Sequence, residues 1–120
     1  MHQILSQPID GETGEITLIE QTAASILFLT SASSDISTLS KALDEHKFAN
    51  LVGKIRALPL SELNHQAQID HYLSTTACNT ELIFIRLLGG RGHWTYGLEQ
   101  VKYWQERNNS RNLIVVAGTR

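Results

Sequence analysis

Residues 81–97 read ELIFIRLLGGRGHWTYG, and they contain the clearest secondary-structure signals of the chain. Its first eight residues, Glu81–Leu88, are an almost continuous apolar run, which is the strongest strand signal in the chain. A loop with three glycines follows, and a helix is predicted from about Thr95 to Arg107. The residues predicted to face inward from that helix are Leu98, Val101 and Trp104. A strand, a glycine loop and a helix in this order are typical of α/β proteins.

The same alternation of strand and helix continues on both sides of this stretch. Strands are predicted at Ser25–Thr30, Lys54–Leu60 and Asn112–Ala117. The first has the apolar form of a strand buried on both faces, and the last is predicted to be a buried strand. Helices are predicted at about residues 35–46 and 64–76 from apolar residues at helical spacing. Strands that alternate with helices form a parallel sheet through right-handed crossovers. The sequence therefore predicts an α/β fold, an open, doubly wound, mostly parallel sheet of flavodoxin or Rossmann type, with about four or five strands and about three helices.

The length and composition indicate one domain. The chain has 120 residues, of which 42% are apolar and 18% charged, an ordinary globular balance. Residues 1–14, punctuated by Pro8, Gly11 and Gly14, are predicted to be a tail and turn, and residues 15–20 a short edge strand. The sequence stops three residues past the last predicted strand. We therefore expect residues 1–120 to be a truncated α/β domain, the N-terminal fragment of a much longer chain or a domain completed by a partner.

Charge and hydropathy give no sign of two classes of partner, nucleic acid and membranes. The formal net charge of -2 leaves no electrostatic footprint for nucleic acid. The first residues lack the charged and apolar regions of a signal peptide, and no apolar run approaches the roughly 18 residues that a membrane helix needs. The single cysteine, Cys78, fits a reducing compartment. We therefore expect a cytoplasmic protein that binds neither nucleic acid nor membranes.

The glycine loop, Gly89 to Gly92, is the first candidate site because ligands of open α/β sheets bind at the carboxyl ends of strands. Gly90-Arg-Gly92 resembles the start of a dinucleotide fingerprint, but Thr95 stands in the place of the third glycine. The pattern GxxxxGK[ST] of nucleotide-binding phosphate loops does not occur anywhere in the sequence. The alternative is a sharp turn in which the glycines supply backbone freedom and no chemistry.

Arg86 and Arg91 flank this loop and lie at the same end of the predicted sheet. Guanidinium groups suit carboxylates and phosphates because they can donate two parallel hydrogen bonds. A charge in a central strand must be paired or reach the end of the sheet. An internal ion pair, with Asp35 for example, is therefore the alternative to a ligand-binding role.

Metal sites and nucleophilic catalysis are poorly supported. The five histidines show neither HxxxH nor HExxH spacing, Cys78 has no CxxC partner, and no GxSxG elbow occurs. His65 and His71 are predicted to be solvated on a polar helix surface. We assign no catalytic residue and no metal site, and keep His93, the only histidine in the glycine loop region, as a candidate ligand or acid–base group.

Three segments together carry a resemblance to a known family. LIFIRLLGGRGHWTYGLEQV (Leu82 to Val101) resembles the signature segment near the amino terminus of the large subunit of aerobic cobaltochelatase, the CobN family, which is related to the large H subunit of magnesium chelatase. ILFLTSASSDISTLSKAL (Ile26 to Leu43) resembles the family's first strand and helix, and FANLVGKIRALPLSELNHQAQIDHYLSTT (Phe48 to Thr76) resembles its Leu-Ala-Asn-Leu segment and the helix after it. One departure is His93, which stands where the family usually has tyrosine.

The resemblance implies a function for the parent protein. It implies ATP-dependent insertion of Co²⁺ into hydrogenobyrinic acid a,c-diamide in cobalamin biosynthesis, with Mg²⁺ and ATP used by the complex. The implied partners are the remainder of the large subunit, two smaller subunits, one of them a ring-forming ATPase, and the corrinoid substrate. For this domain it implies no bound cofactor and a non-catalytic role in docking or on the substrate side. The residues expected to form that surface are Arg86, Gly89, Gly90, Arg91, Gly92, His93, Trp94 and Tyr96. The alternative is a free-standing module that binds a small anion or nucleotide at the same loop.

Overall fold

The computed structural model describes residues 4–9, 16–89 and 91–118. Its strands are β1 (Ile4–Ile9), β2 (Ile16–Gln21), β3 (Ile26–Thr30), β4 (Ile55–Pro59), β5 (Leu82–Leu88) and β6 (Asn112–Gly118). Its α-helices are α1 (Ser33–Leu43), α2 (Gln66–Ser74) and α3 (Thr95–Glu106). Short 3₁₀ helices lie at His46–Leu51, Leu60–Glu62 and Arg91–Trp94.

Four strands form one parallel sheet in the order β4-β3-β5-β6. The register places Thr30 beside Arg86 and Arg86 beside Val116. The chain first moves outward from β3 to β4 through α1, then crosses back over β3 to β5 through α2, and continues outward to β6 through α3. The predicted open, doubly wound α/β fold is confirmed.

Right-handed crossovers in opposite directions put helices on opposite faces of the sheet. On one face, which we call the α2–α3 face, Leu27, Leu29, Ile83, Ile85 and Leu87 are at most 1% exposed. They belong to one core cluster with Ile69, Tyr72, Val101 and Trp104 from α2 and α3. The inward positions predicted for α3 are confirmed for Val101 and Trp104, which are fully buried, and Leu98 packs against the same cluster.

The opposite face, which we call the α1 face, is covered less completely. Leu39 of α1 lies over Ile26, Phe28, Leu82 and Phe84, and this set lines an apolar cleft of about 250 Å³. The prediction that β3 is buried on both faces is wrong, and so is the prediction that β6 is a buried strand. On β3 the alternate residues are half-buried, and on β6 the alternate residues Ile114 and Val116 are 44% and 46% exposed. The reason is that α1 is the only α-helix among the described residues that packs on this face.

A two-stranded antiparallel hairpin precedes the sheet, formed by β1 and β2. The prediction of a tail over residues 1–14 is therefore wrong for residues 4–9, and the predicted turn over 10–14 lies outside the described residues. β2 packs on α2 through a buried network around Gln21. The Gln21 amide Nε2 donates to the carbonyl oxygen of Ala57, and the Tyr72 hydroxyl donates to Gln21 Oε1 at 2.6 Å. Burial raises the pKa of Tyr72, so the hydroxyl keeps its proton for this bond.

Candidate functional site at the carboxyl edge of the sheet

The strand order creates one topological switch point, between β3 and β5, where successive connections leave in opposite directions. Ligands of open α/β sheets bind outside the carboxyl ends of the strands at such a point. Here β3 ends at Thr30 and β5 ends at Leu88. The Ser31 hydroxyl accepts a hydrogen bond from the Leu88 amide at 2.8 Å, and the Ser31 amide donates to the Arg86 carbonyl at 3.0 Å. The two strand ends are thus joined beyond the sheet ladder.

Arg86 is bound by a carboxylate of its own chain. Its guanidinium donates to Asp35 Oδ2 at 2.5 Å, and the Thr30 hydroxyl donates to the same oxygen at 2.7 Å. The Arg86 side chain is 40% exposed and the Asp35 side chain 24% exposed. Burial alone would raise the pKa of Asp35, but the hydrogen bonds from Thr30 and Arg86 and the charge of Arg86 outweigh it and lower that pKa. The ion pair considered from the sequence is therefore present, and it neutralises Arg86.

This ion pair gives a pH-dependent prediction. A carboxylate with a lowered pKa in the folded state stabilises the fold fully above its unfolded pKa and loses that effect as the pH falls through the folded value. We expect Asp35→Asn to lower the free energy of unfolding by about 1 kcal/mol at neutral pH, because a partly exposed pair contributes little more. The difference between the two proteins should shrink as the pH falls below 3.8, the ordinary value for this group. Urea unfolding from pH 7 to pH 2 measures it, and a difference that does not depend on pH would contradict it.

The glycine loop makes a close turn after β5. Gly89 has φ of +88°, and a Cβ built on it would lie 2.8 Å from Nε2 of the exposed His93. The backbone conformation therefore favours glycine at this position, whereas the ring of His93 ends an exposed, flexible side chain that can turn aside. Gly90 lies outside the described residues, and so does the side chain of Arg91, which begins the 3₁₀ helix Arg91–Trp94. The Gly89 amide donates to the Gly118 carbonyl at 2.8 Å, so the loop is tied to the end of β6.

Trp94 and Tyr96 each donate a hydrogen bond to another element of the chain. Trp94 is 6% exposed, and its indole Nε1 donates to the Leu63 carbonyl at 2.9 Å. A Cβ on Gly97 would overlap the Trp94 ring, so this glycine allows the ring to lie against α3. The Tyr96 hydroxyl donates to the Asp70 carboxylate of α2 at 2.8 Å, and that hydrogen bond raises the pKa of Tyr96. These aromatic residues join the motif to α2 and to the β4–α2 connection.

A crevice remains open at the switch point itself. Ser31, Leu88, Gly89 and His93 line a space of about 350 Å³. An adjoining space of about 180 Å³ shares Ser31 and His93 and adds residues from the β4–α2 connection, among them Ser61 and Asn64. Of the predicted site residues, this crevice brings together Gly89, His93 and Trp94. Arg86 lies on the α1 face with Asp35, and Tyr96 lies beside a separate cleft with Asp70.

The other histidines do not form a metal centre among the described residues, which contain no group of three or more histidine, cysteine or acidic side chains suited to a metal ion. The prediction that His65 and His71 are solvated is confirmed for His65, which is exposed, whereas the side chain of His71 is only 26% exposed. His65 Nδ1 caps α2 by accepting from the Ala67 amide at 3.0 Å. His71 Nε2 lies 2.9 Å from Glu20 Oε2 and so joins α2 to β2. Cys78 is a free, exposed cysteine.

Within the described residues, none of the helices has the length and apolar character needed to cross a lipid bilayer.

Comparison with known proteins confirms the resemblance to the CobN family. The chain is 34% identical over 102 residues to a protein of Sinorhizobium sp. named aerobic cobaltochelatase subunit CobN, a match that spans 82% of this chain. It is 31% identical over 116 residues to the protein of the same name from Pseudomonas aeruginosa, which spans 89% of this chain. In each case the match covers 8% of the relative's length. No family model matches the chain, and no solved structure matches it.

Proposed function

Because the chain belongs to the CobN family and represents one short segment of its members, we propose that it is the amino-terminal domain of a cobaltochelatase-type large subunit. The parent enzyme inserts Co²⁺ into hydrogenobyrinic acid a,c-diamide in the cytoplasm, with two smaller subunits, one of them a ring-forming ATPase. This domain supplies no catalytic group. It acts as a docking domain for the rest of the large subunit.

One observation carries the non-catalytic role. Among the described residues of the motif, the side chains best suited to hold a ligand already make ion pairs or hydrogen bonds with other residues of this chain. Arg86 is paired with Asp35, Trp94 donates to the Leu63 carbonyl, and Tyr96 donates to Asp70. Each of these bonds connects two elements that are distant in sequence. These bonds support a structural role, in which the motif holds the strand-to-helix connection in place. A catalytic or binding role would require the same side chains to be free to contact a ligand.

The ATP and Mg²⁺ of the parent reaction do not fit the residues of this domain. The glycine loop lacks the lysine and the hydroxyl that follow the glycines of a phosphate loop. No set of described carboxylates gathers at the switch point, where Asp35, the nearby acidic group, is bound to Arg86. We therefore assign nucleotide and Mg²⁺ to the ring-forming ATPase subunit and derive no step through them here.

A second candidate function rests on the crevice at the switch point. Its volume of about 350 Å³ and its exposed lining by Ser31, Gly89 and His93 suit a small polar group. Such a group could be a carboxylate or amide of the corrinoid rim, or a free anion. This candidate places the domain on the substrate side of the enzyme. The Arg86 side chain lies on the α1 face and does not line the crevice, but it is at the same edge of the sheet, where the Arg86 carbonyl accepts from the Ser31 amide.

The two candidate functions predict different changes in the KM for the corrinoid when Arg86 or Asp35, the two residues of the ion pair, is replaced. In the complete large subunit, assayed with its partner subunits, we expect Arg86→Met and Asp35→Asn to have the same effect. Each should destabilise the domain by about 1 kcal/mol and change the KM for the corrinoid by less than about twofold, since each removes the same structural bond.

A substrate-binding role predicts an asymmetric result. Arg86→Met should then raise the KM for the corrinoid by about tenfold or more, because a charge-assisted hydrogen bond to the substrate is lost. Asp35→Asn would release Arg86 from its partner and leave the KM unchanged or lower it. That asymmetry would overturn the non-catalytic docking role in favour of the second candidate. Equal, small effects on KM would support the docking role.

A further inference from the structure

The outer half of the α1 face is an apolar strip without a cover among the described residues. Phe84 of β5 and Ile114 and Val116 of β6 belong to this side, with Phe84 in register with Ile114 and the paired Arg86 in register with Val116. Ile114 and Val116 are about half exposed, whereas Leu113 and Val115, their neighbours on the α2–α3 face, pack against the core. Parallel sheets in α/β proteins are normally covered on both faces. We call this surface the β5–β6 strip.

The β5–β6 strip has the width of one helix. Adjacent strands lie about 4.8 Å apart, and packed helices lie about 8–10 Å apart, so one helix covers about two strands. α1 contacts β3 and β4 and so covers one half of the four-stranded sheet. Leu39 and Ala42 of α1 form a wall along the uncovered half, and with Phe28 and Phe84 they border a groove of about 420 Å³. Thr38 and the Asp35–Arg86 ion pair also line this groove. A helix lying beside α1 would fill this groove.

We propose that the β5–β6 strip is the docking site for an amphipathic helix from the remainder of the cobaltochelatase-type large subunit. This inference rests on the proposed function, because it takes the domain to work within a longer subunit. More than nine-tenths of each CobN relative lies outside the segment that this chain matches. The helix would place an apolar stripe on Phe84, Ile114 and Val116, and its polar face would remain toward solvent or further domains.

A second copy of this chain fits the strip less well. The element that stands out from the α1 face is α1 itself, and its exposed side chains are Ser33, Ser34, Ser37, Thr38 and Lys41. These polar groups would be buried against Ile114 and Val116 if two copies packed α1 into each other's grooves. Burial of unpaired polar groups is unfavourable. This arrangement of two copies is therefore unfavourable, and we take the partner surface from the remainder of the large subunit, with a second copy as the alternative occupant.

Cysteine labelling tests this proposal. In a Cys78→Ser background, Ile114→Cys and Val116→Cys are each placed in the 120-residue chain and in the complete large subunit. We expect maleimide to react at least roughly tenfold more slowly in the complete subunit, because the docked helix must leave before the thiol is reached. Tyr103→Cys is the matched control. Tyr103 is 48% exposed on α3, away from the strip, and its labelling rate should stay within about twofold between the two proteins.

Two results would overturn the proposal. Equal labelling of Ile114→Cys and Val116→Cys in the chain and in the complete subunit would show that nothing covers the strip there. Protection in the 120-residue chain that rises with protein concentration, together with a dimer in sedimentation, would make a second copy the occupant. The kinetic test on Arg86 and Asp35 is independent of this labelling. An effect of Arg86→Met on corrinoid KM would change the proposed function and leave the protection of the strip as it was measured.

Discussion

Trp94→Ala is expected to lower the free energy of unfolding by about 3–5 kcal/mol, the usual range for removing a large buried aromatic side chain. The indole is 6% exposed, packs in the main core cluster and donates to the Leu63 carbonyl. The substitution opens a cavity between α3 and the β4–α2 connection and leaves that carbonyl without its donor. Chemical unfolding followed by circular dichroism measures the change.

Trp94→Phe separates the two contributions. Phenylalanine keeps most of the apolar contact and loses only the indole N–H, so it should cost about 1–2 kcal/mol less than the full truncation to alanine. A loss below about 1 kcal/mol for Trp94→Ala would contradict the placement of this ring in the core. It would also remove the main support for a structural function of the motif.

Gly97→Ala is expected to destabilise the fold by about 2 kcal/mol or more, although alanine normally stabilises a helix by about 1 kcal/mol relative to glycine. Gly97 is buried in the first turn of α3, and a Cβ there would overlap the Trp94 ring. The ring can leave only by giving up its bond to Leu63, so the strain cannot be relieved locally.

Gly92→Ala is the matched control for the destabilisation that we expect from Gly97→Ala. Gly92 belongs to the same motif, does not have a positive φ, and a Cβ there would meet nothing within 4 Å. Its replacement should leave the free energy of unfolding unchanged or raise it slightly, because alanine restricts the unfolded chain. Thermal unfolding of both variants decides the question. A stabilising Gly97→Ala would show that the ring does not lie on this glycine.

The parallel sheet could be predicted because each buried strand is an apolar run and each helix repeats its apolar residues with helical spacing. The hairpin strand β1 could not be predicted in the same way. Its sequence, ILSQPI, mixes polar residues with Pro8, and only pairing with β2 makes it a strand. The exposure of Ile114 and Val116 was also missed. An apolar strand has the same pattern whether its own chain covers one face or both.

The candidate site was predicted in part. The ion pair of Arg86 with Asp35 was open to inference because both residues were expected near the carboxyl edge of the sheet, although they are 51 positions apart. Ser31, Ser61 and Asn64 were missed, since small polar residues in three separate loops carry no spacing signal. The loops after β3, β4 and β5 meet at one edge of a parallel sheet, and this topology would have predicted that the three residues lie close together. The hydrogen-bond partners of His71 and Tyr96 could not be predicted either, because each partner lies in a different secondary-structure element.

The hydrogen bond from the Gly89 amide to the Gly118 carbonyl has a thermodynamic consequence. It joins the crevice of the switch point to the last residue of β6, whose outer face belongs to the β5–β6 strip. A partner on the strip that shifts the end of β6 therefore changes the energy of the turn at Gly89. Linkage requires the reverse as well, so that a group held in the crevice alters the affinity of the partner by the same factor. Binding of the partner to the β5–β6 strip and binding of a group in the crevice would then be thermodynamically coupled.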